Sequence, residues 1–337
     1  MLSEFSFTPS VFSAESHADA HRWQEQLCEM ARELFPRNNP CRIVISNLCE
    51  GHWYHEAQNW AKNKANKDHP ARNLVQGFLQ ELESLLVARP SSPGSPTDDA
   101  SWVMEALTSN SVESIDRIIA CKPIFERFRR VSPAIRNLDE VSDNGFWRGV
   151  SSQTKLPMRI DKQILVLRKL TLHSEFLWLV TPYILGGEGN DTDFAVAFVE
   201  AAFVRPEGFP QPKEVVLHTK APEKLETIDN LVSNIRKRVA PILKPKQKVE
   251  LIMWSDRLLD RYVVGGNCTA SSRGHRQLSP RWGVLMSHIA RNVKANGMEK
   301  TTPWCLLDRT LMGDVFREFD IDSLKAKPRT FMIEAGA

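Results

Sequence analysis

The sequence lacks several features that would assign it to a familiar class of protein. No uninterrupted apolar run approaches the ~20 residues that a membrane-spanning helix needs. The amino terminus carries the acidic Glu4 and none of the basic residues with which an export signal begins. The 337 residues have a formal net charge of only +3, so bulk charge does not by itself indicate a nucleic-acid-binding protein. Together these absences predict a cytoplasmic protein with no membrane partner.

Signals for metals, cofactors and well-known reactions are also missing. The six cysteines form no CxxC pair, which predicts reduced thiols rather than a disulfide framework. Potential metal ligands do cluster within fifteen residues at Cys41, Cys49, His52 and His55, but their spacing matches no familiar zinc pattern. GxSxG, HExxH, kinase and P-loop motifs are absent. The sequence therefore predicts no metal and no cofactor.

The amino-terminal half has helical periodicity. Apolar residues fall on one side of predicted helices at Ser16–Leu34 and Ala71–Val87, so residues 1–89 are predicted to be a helical region. Residues 90–99, PSSPGSPTDD, have the composition of a flexible linker. Residues 100–159 are predicted to be a connecting α/β segment, and residues 160–337 a separate α/β domain.

The carboxy-terminal half alternates strands with helices. Apolar, β-branched segments predict strands at FLWLVTPYIL, Glu214–His218, Val249–Trp254 and Tyr262–Val264. Helices at Asp193–Val204 and Glu223–Ile242 separate the first three, which is the βαβ pattern of a mostly parallel sheet covered by helices. A short polar connection joins the last two strands. Two further helices are predicted at Trp282–Asn292 and Arg309–Phe319.

Two short segments at predicted strand ends carry residues suited to phosphate chemistry. His218-Thr219-Lys220 matches the first half of the signature H-x-K, four residues, Asp, in which the His attacks phosphorus and the Lys binds a phosphate oxygen. Leu225 stands where the Asp would be, and the alternative interpretation is a polar strand end. Asp260 and Arg261 either grip a phosphate and orient a neighbour or form a structural ion pair that pins a hairpin.

Basic and aromatic residues occur together at two other places and could bind phosphate or nucleic acid. Arg127, Arg129 and Arg130 lie beside two phenylalanines. After the strand at Tyr262 comes the Ser- and Gly-rich segment SSRGHRQ, whose neighbourhood contains Arg273, His275, Arg276 and Arg281. The alternative interpretation of both clusters is a solvated surface.

Residues from about 160 to 290 resemble a divergent phospholipase D-like domain of bacterial defence systems. The resemblance rests on FLWLVTPYIL, EVVLHT, VELIMWS and LDRYVVGG with the helices between them. In that group the first strand often ends in Asp-Pro-Tyr and the last strand pair begins with His-Asp-Arg-Tyr. Here Thr181 replaces the Asp and Leu259 replaces the His, so two candidate reactive groups are missing.

The resemblance implies an accessory protein of an antiphage defence-type system. It would bind nucleic acid or an operon-encoded partner protein through a catalytically degenerate domain. Two alternatives remain at this point: an active phosphodiesterase or nuclease assembled in a homodimer from His218, Lys220, Asp260 and Arg261, and a protein-interaction scaffold.

Overall fold

The structure is a computed structural model. It describes residues 1–36, 40–62, 67, 69–90, 94–143, 145–184, 191–222, 225–255, 258, 260–270, 276–289, 300–321 and 328–335. The chain divides into two compact units. The amino-terminal unit comprises Leu2–Ser151 with Pro206–Phe209, and the carboxy-terminal unit comprises Ser152–Arg205 and Pro210–Ala337 with Met1.

The amino-terminal unit contains a five-stranded, wholly parallel sheet in the order β3-β2-β1-β4-β5. Its strands are β1 (Ser3–Phe7), β2 (Ile43–Asn47), β3 (Leu86–Ala88), β4 (Arg117–Ala120) and β5 (Ile135–Asn137). Its helices are α1 (Ala20–Leu34), α2 (His52–Ala61), α3 (Arg72–Leu82), α4 (Asp99–Val112) and α5 (Lys122–Phe128). Every residue of β1 is buried, as expected for the central strand of a parallel sheet covered on both faces.

Local sequence explains where these helices begin. The Asp19 side chain accepts hydrogen bonds from the backbone N–H groups of His21 and Arg22 at the start of α1. Asp98 and Ser101 form a reciprocal capping box at the start of α4.

The prediction of a helical region at residues 1–89 is wrong, because β1, β2 and β3 lie there. The division between units falls at Ser151–Ser152 rather than within 90–99, because β4 and β5, which follow that segment, belong to the same sheet as β1.

The carboxy-terminal unit contains an eight-stranded mixed sheet in the order β13-β9-β8-β7-β10-β11-β12-β6. Its strands are β6 (Gln153–Pro157), β7 (Phe176–Val180), β8 (Glu214–Lys220), β9 (Lys248–Trp254), β10 (Tyr262–Ala270), β11 (Arg276–Met286), β12 (Thr301–Leu306) and β13 (Arg329–Glu334). Its helices are α6 (Ile160–Leu172), α7 (Asp191–Phe203), α8 (Leu225–Val239) and α9 (Arg309–Phe319). The α/β class is therefore confirmed.

Three expectations for this unit need correction. Only β7, β8 and β9 pair in parallel, and the other five strand pairs are antiparallel, so the sheet is mixed rather than mostly parallel. β9 and β10 form no hairpin, because β8 and β7 lie between them. Of the predicted helix Trp282–Asn292, residues 282–286 belong to β11 and residues 287–289 are not helical. Residues 290–292 lie outside the described residues.

Candidate functional site

The neighbouring strands β8, β7 and β10 lie in the interior of the mixed sheet. The carboxyl ends of β7 and β8 lie beside the beginning of β10, at one end of the strands. In register, Val180 of β7 lies between His218 of β8 and Tyr262 of β10. Side chains along a strand alternate between the two faces. Thr181, Thr219 and Arg261, each one residue away from this row, therefore belong to the opposite face. At this end of the strands the backbones of the predicted residues are close together, but their side chains are divided between the two faces of the sheet.

The first face buries His218. Its ring packs against three aromatic rings, with centroids 5.2 Å from Trp178, 5.9 Å from Trp254 and 5.5 Å from Phe319 of α9. Only 1% of the residue is exposed. The indole Nε1 of Trp254 donates a hydrogen bond to Nδ1 of His218 at 3.2 Å, which assigns the proton of the neutral imidazole to Nε2.

Burial has two chemical consequences for His218. It lowers the pKa of the imidazole to about 3, so the ring is neutral at physiological pH. Nε2 has no hydrogen-bond partner in the described part of the chain. A nucleophile or general base must reach its substrate, and here the imidazole is enclosed by aromatic side chains instead.

Lys220 and Asp260 lie at the rim of the same face. Lys220 ends β8 opposite Trp254 of β9 and is half-buried. The exposed Asp260 accepts a hydrogen bond from the Tyr262 hydroxyl at 3.2 Å. Burial, with a further contribution from Asp260, raises the pKa of Tyr262 to about 12. No ion pair between Asp260 and Arg261 occurs among the described residues, so the interpretation of that pair as a hairpin clamp is wrong.

The second face holds a buried polar cluster around Arg261, which is only 9% exposed. Nε of Arg261 lies 3.6 Å from Oδ2 of Asp191, the first residue of α7. The Thr181 hydroxyl donates to the same carboxylate oxygen at 2.9 Å. The guanidinium carbon lies 5.2 Å from the ring centroid of Tyr183. We call Arg261, Asp191, Thr181 and Tyr183 the Arg261 cluster.

Donor groups in and beside the Arg261 cluster are unsatisfied. Within the described residues the Arg261 guanidinium makes no hydrogen bond, since its contact with Asp191 is longer than one, and its Nε is buried. The Thr219 hydroxyl, on the same face, is buried and also lacks a partner. A guanidinium has five N–H donors in a planar fork that matches carboxylate and phosphate oxygens. The cluster is therefore equipped to bind an anion.

The basic residues predicted from the sequence are divided between the two units. Arg127, Arg129 and Arg130 are exposed and belong to the amino-terminal unit. Arg129 pairs with Glu126 at 2.9 Å, and the Arg127 guanidinium lies over the Phe128 ring at 5.2 Å.

In the carboxy-terminal unit, Arg276 begins β11, and the Arg281 guanidinium lies 4.4 Å from the Trp282 ring centroid. Arg273 and His275 lie outside the described residues.

Sequence reasoning identified Arg261 but missed Asp191, Thr219 and the contribution of Tyr183. One signal was present, because Asp191 ends the glycine-rich segment GGEGND just before a predicted helix, where an acidic side chain suits the helix dipole. Among the described residues no group of three or more His, Cys, Asp or Glu side chains is arranged to hold a metal ion. No helix in the described part of the chain is long and apolar enough to cross a bilayer.

Comparison with known proteins gives distant similarities. No protein-family model and no curated protein sequence matches the chain. Polyphosphate kinase from Porphyromonas gingivalis aligns with 52% of this chain at 14% identity and a TM-score of 0.30, and the chain covers 27% of that enzyme. TrmBL2, an archaeal chromatin protein with a novel mode of DNA binding, aligns with 93% of this chain, with 95% of its own length covered, at 10% identity and a TM-score of 0.25. Both scores are too low to support an argument about fold or function.

Proposed function

We propose that the carboxy-terminal unit binds the phosphate backbone of nucleic acid at the Arg261 cluster without cleaving it. The observation that carries the proposal is the buried guanidinium of Arg261, which makes no hydrogen bond in the described part of the chain. A buried donor without a partner costs about 1–3 kcal/mol. A phosphate oxygen pair would satisfy the fork with charge-assisted hydrogen bonds.

The surroundings of Arg261 suit a binding role. Asp191 and Tyr183 fix the position of the guanidinium, so little side-chain freedom is lost when an anion binds. The carboxyl ends of the parallel strands β7 and β8 lie beside it, and ligands of α/β sheets bind preferentially at such ends.

The absence of cleavage is supported by the state of His218. Its imidazole is neutral and enclosed by three aromatic rings. Thr181 and Leu259 stand where the phospholipase D-like pattern has an Asp and a His. The resemblance to defence-system proteins makes an accessory role in antiphage defence part of the same proposal, with nucleic acid favoured over a partner protein because the unsatisfied groups are donors to an anion.

The test is fluorescence anisotropy with labelled single-stranded and duplex oligonucleotides between about 50 and 200 mM salt. Arg261→Ala should weaken binding about tenfold or more and reduce the salt slope by about 1. Arg159→Ala is the matched control, because Arg159 is an exposed arginine of the same unit, paired with Asp161 at 2.8 Å. Equal binding by the two variants would disprove the proposal.

A folding defect must be separated from a binding defect, because Arg261 is buried. Arg261→Lys keeps the charge and loses the fork, so it should melt close to wild type and still bind several-fold more weakly. Wild-type affinity in a folded Arg261→Lys variant would show that bidentate phosphate binding is absent.

The competing proposal, an active phosphodiesterase, makes a different prediction. Metal-independent cleavage of DNA or RNA that is abolished by His218→Ala would establish it and end the non-catalytic interpretation. We expect no cleavage from the wild-type protein, because the imidazole of His218 does not reach the surface.

A further inference from the structure

The amino-terminal unit contains a charged cavity, in a different unit from the Arg261 cluster. A cavity of about 270 Å³ lies between the parallel sheet and the segment that follows β5. It is lined by Arg117, Arg136, Glu140, Asp143, Gly145 and Phe146. Pockets that hold drug-sized ligands have volumes of about 300–1,000 Å³, so this one suits a smaller molecule. Its lining is mostly charged, which favours an ionic ligand.

Arg117 is held in a fixed orientation at this cavity. It begins β4, in register with Phe5 of β1. The guanidinium carbon lies 4.9 Å from the ring centroid of Phe5 and 5.1 Å from that of Phe146. Nη2 donates to the Arg148 carbonyl at 2.9 Å. Within the described residues this is the one hydrogen bond of the Arg117 guanidinium. Most of its N–H donors are therefore available to a ligand, and the group is already held in position.

Arg136 supplies a second cation to the same cavity. It lies in β5 opposite Ile119 of β4, two residues beyond Arg117, so the alternation of side chains puts both arginines on one face of the sheet. Arg136 is exposed and pairs with no carboxylate in the described part of the chain. Burial, and then the positive charge of Arg136, lower the pKa of Arg117. A bound anion would relieve this repulsion.

Two carboxylates complete the lining without neutralising the arginines. Glu140 and Asp143 make no ion pair with Arg117 or Arg136 among the described residues, although all four line the cavity. Carboxylates only accept hydrogen bonds when ionised. They are therefore suited to hydroxyl or amino groups on the part of a ligand that is not the anion.

We propose that this cavity binds a small phosphate monoester that also carries hydroxyl or amino groups, a class that includes nucleoside monophosphates and sugar phosphates. The phosphate lies on Arg117 and Arg136, and the hydroxyl or amino groups donate to Glu140 and Asp143. A phosphate dianion matches two guanidinium groups in charge and in fork geometry better than a single carboxylate does.

The test uses the full chain in isothermal titration calorimetry with adenosine 5′-monophosphate, inorganic phosphate and adenosine as probes. We expect the monophosphate to bind more tightly than inorganic phosphate, and adenosine to bind at least tenfold more weakly than the monophosphate. Arg136→Gln should weaken binding of both phosphates about tenfold or more, because two charge-assisted hydrogen bonds are lost. Arg32→Gln changes an exposed arginine of the same unit that lies outside the cavity, and this variant should bind as wild type does.

A second variant tests the carboxylates. Replacing Glu140 with Gln and Asp143 with Asn should strengthen binding of inorganic phosphate while reducing the preference for the monophosphate. Arg117 is left intact because its stacking on Phe5 and Phe146 is also structural.

No saturable binding of either phosphate, adenosine binding as tightly as the monophosphate, or wild-type affinity in Arg136→Gln would overturn the site. Equal affinity for the two phosphates would overturn the role of the carboxylates. Oligonucleotide binding through Arg261 should be unchanged by Arg136→Gln, so the two proposals fail separately.

Discussion

Removing the guanidinium of Arg89 should destabilise the amino-terminal unit more than loss of a surface arginine. Arg89 and Glu4 form an ion pair in which both side chains are 0% exposed. Nε and Nη2 of Arg89 donate to the two Glu4 carboxylate oxygens at 2.7 and 2.6 Å. Arg89 also donates to the carbonyls of Ser109, Glu113 and Ser114, at the carboxyl end of α4. It therefore joins the central strand β1 to the end of that helix.

The expected loss of stability follows from the buried Glu4 carboxylate that Arg89→Ala leaves without its arginine. The Glu4 carboxylate would remain buried without its arginine, while still accepting a hydrogen bond from the Ser46 hydroxyl at 2.7 Å. Breaking a buried ion pair in this way costs about 3–5 kcal/mol, and the helix-end carbonyls that lose a donor add to this. We expect a loss of about 4 kcal/mol or more, which is a large part of the ~5–15 kcal/mol that stabilises a typical protein. For a unit of this size the melting temperature should fall by roughly 10 °C.

Denaturant unfolding followed by circular dichroism measures the effect. Arg32→Ala is the matched control, because Arg32 forms an exposed ion pair with Glu29 at 3.0 Å in the same unit and should cost about 0–1 kcal/mol. A further variant separates charge burial from packing. Arg89→Met combined with Glu4→Gln should be more stable than Arg89→Met alone, because no uncompensated carboxylate remains buried. A loss below about 1.5 kcal/mol in Arg89→Ala would refute this reasoning.

Two further predictions concern pH. The pKa of His218 is lowered from 6.5 to about 3 by burial, so the unfolded chain takes up this proton first as pH falls. Stability should therefore decline by up to about 1.4 kcal/mol per pH unit between about 6.5 and 3. His218→Phe should flatten that decline in acid unfolding curves, and an unchanged curve would contradict the assignment. Asp99, which accepts a hydrogen bond from the Ser10 hydroxyl, has its pKa raised from 3.8 to about 6, chiefly by burial, so stability falls as pH rises through this window. Asp99→Asn should then stabilise the protein by about 1–2 kcal/mol at pH 7 and by little at pH 4; destabilisation at pH 7 would show that the carboxylate is better accommodated than its burial indicates.

Local patterns predicted the elements that are long and strongly apolar. The predicted helix at Arg309–Phe319 coincides with α9, and the strands predicted at Glu214–His218 and Val249–Trp254 correspond to β8 and β9. The strand predicted over FLWLVTPYIL contains β7, which ends at Val180. In these segments the hydrophobic period or run length is unambiguous. The α/β class follows from them directly.

Short strands were not predictable in this way. β3 and β5 contain three residues each, too few to show any period, and they become strands because the neighbouring strands β2 and β4 offer hydrogen-bond partners. β11 was predicted helical at Trp282. It contains Gly283, where a Cβ atom would come within 2.6 Å of Leu307, a close approach that a strand with glycine permits and that a helical pattern does not reveal.

The candidate site shows why a motif in a strand does not by itself give a function. His218 and Thr219 are adjacent in β8. His218 packs among aromatic side chains that include Phe319 of α9, whereas Thr219 lies on the face of Arg261 and Asp191. Both faces are buried here, since His218 is 1% and Thr219 0% exposed, and α9, about ninety residues further along the chain, covers the face of His218. A histidine at position 219 would belong to the same face as the unsatisfied arginine, and at position 218 it packs among aromatic rings. The tripeptide His-Thr-Lys thus contains residues of a phosphate-cleaving signature, but α9 covers the face of the sheet on which the His218 side chain lies. Arg261, on the opposite face, remains as the group that can bind an anion.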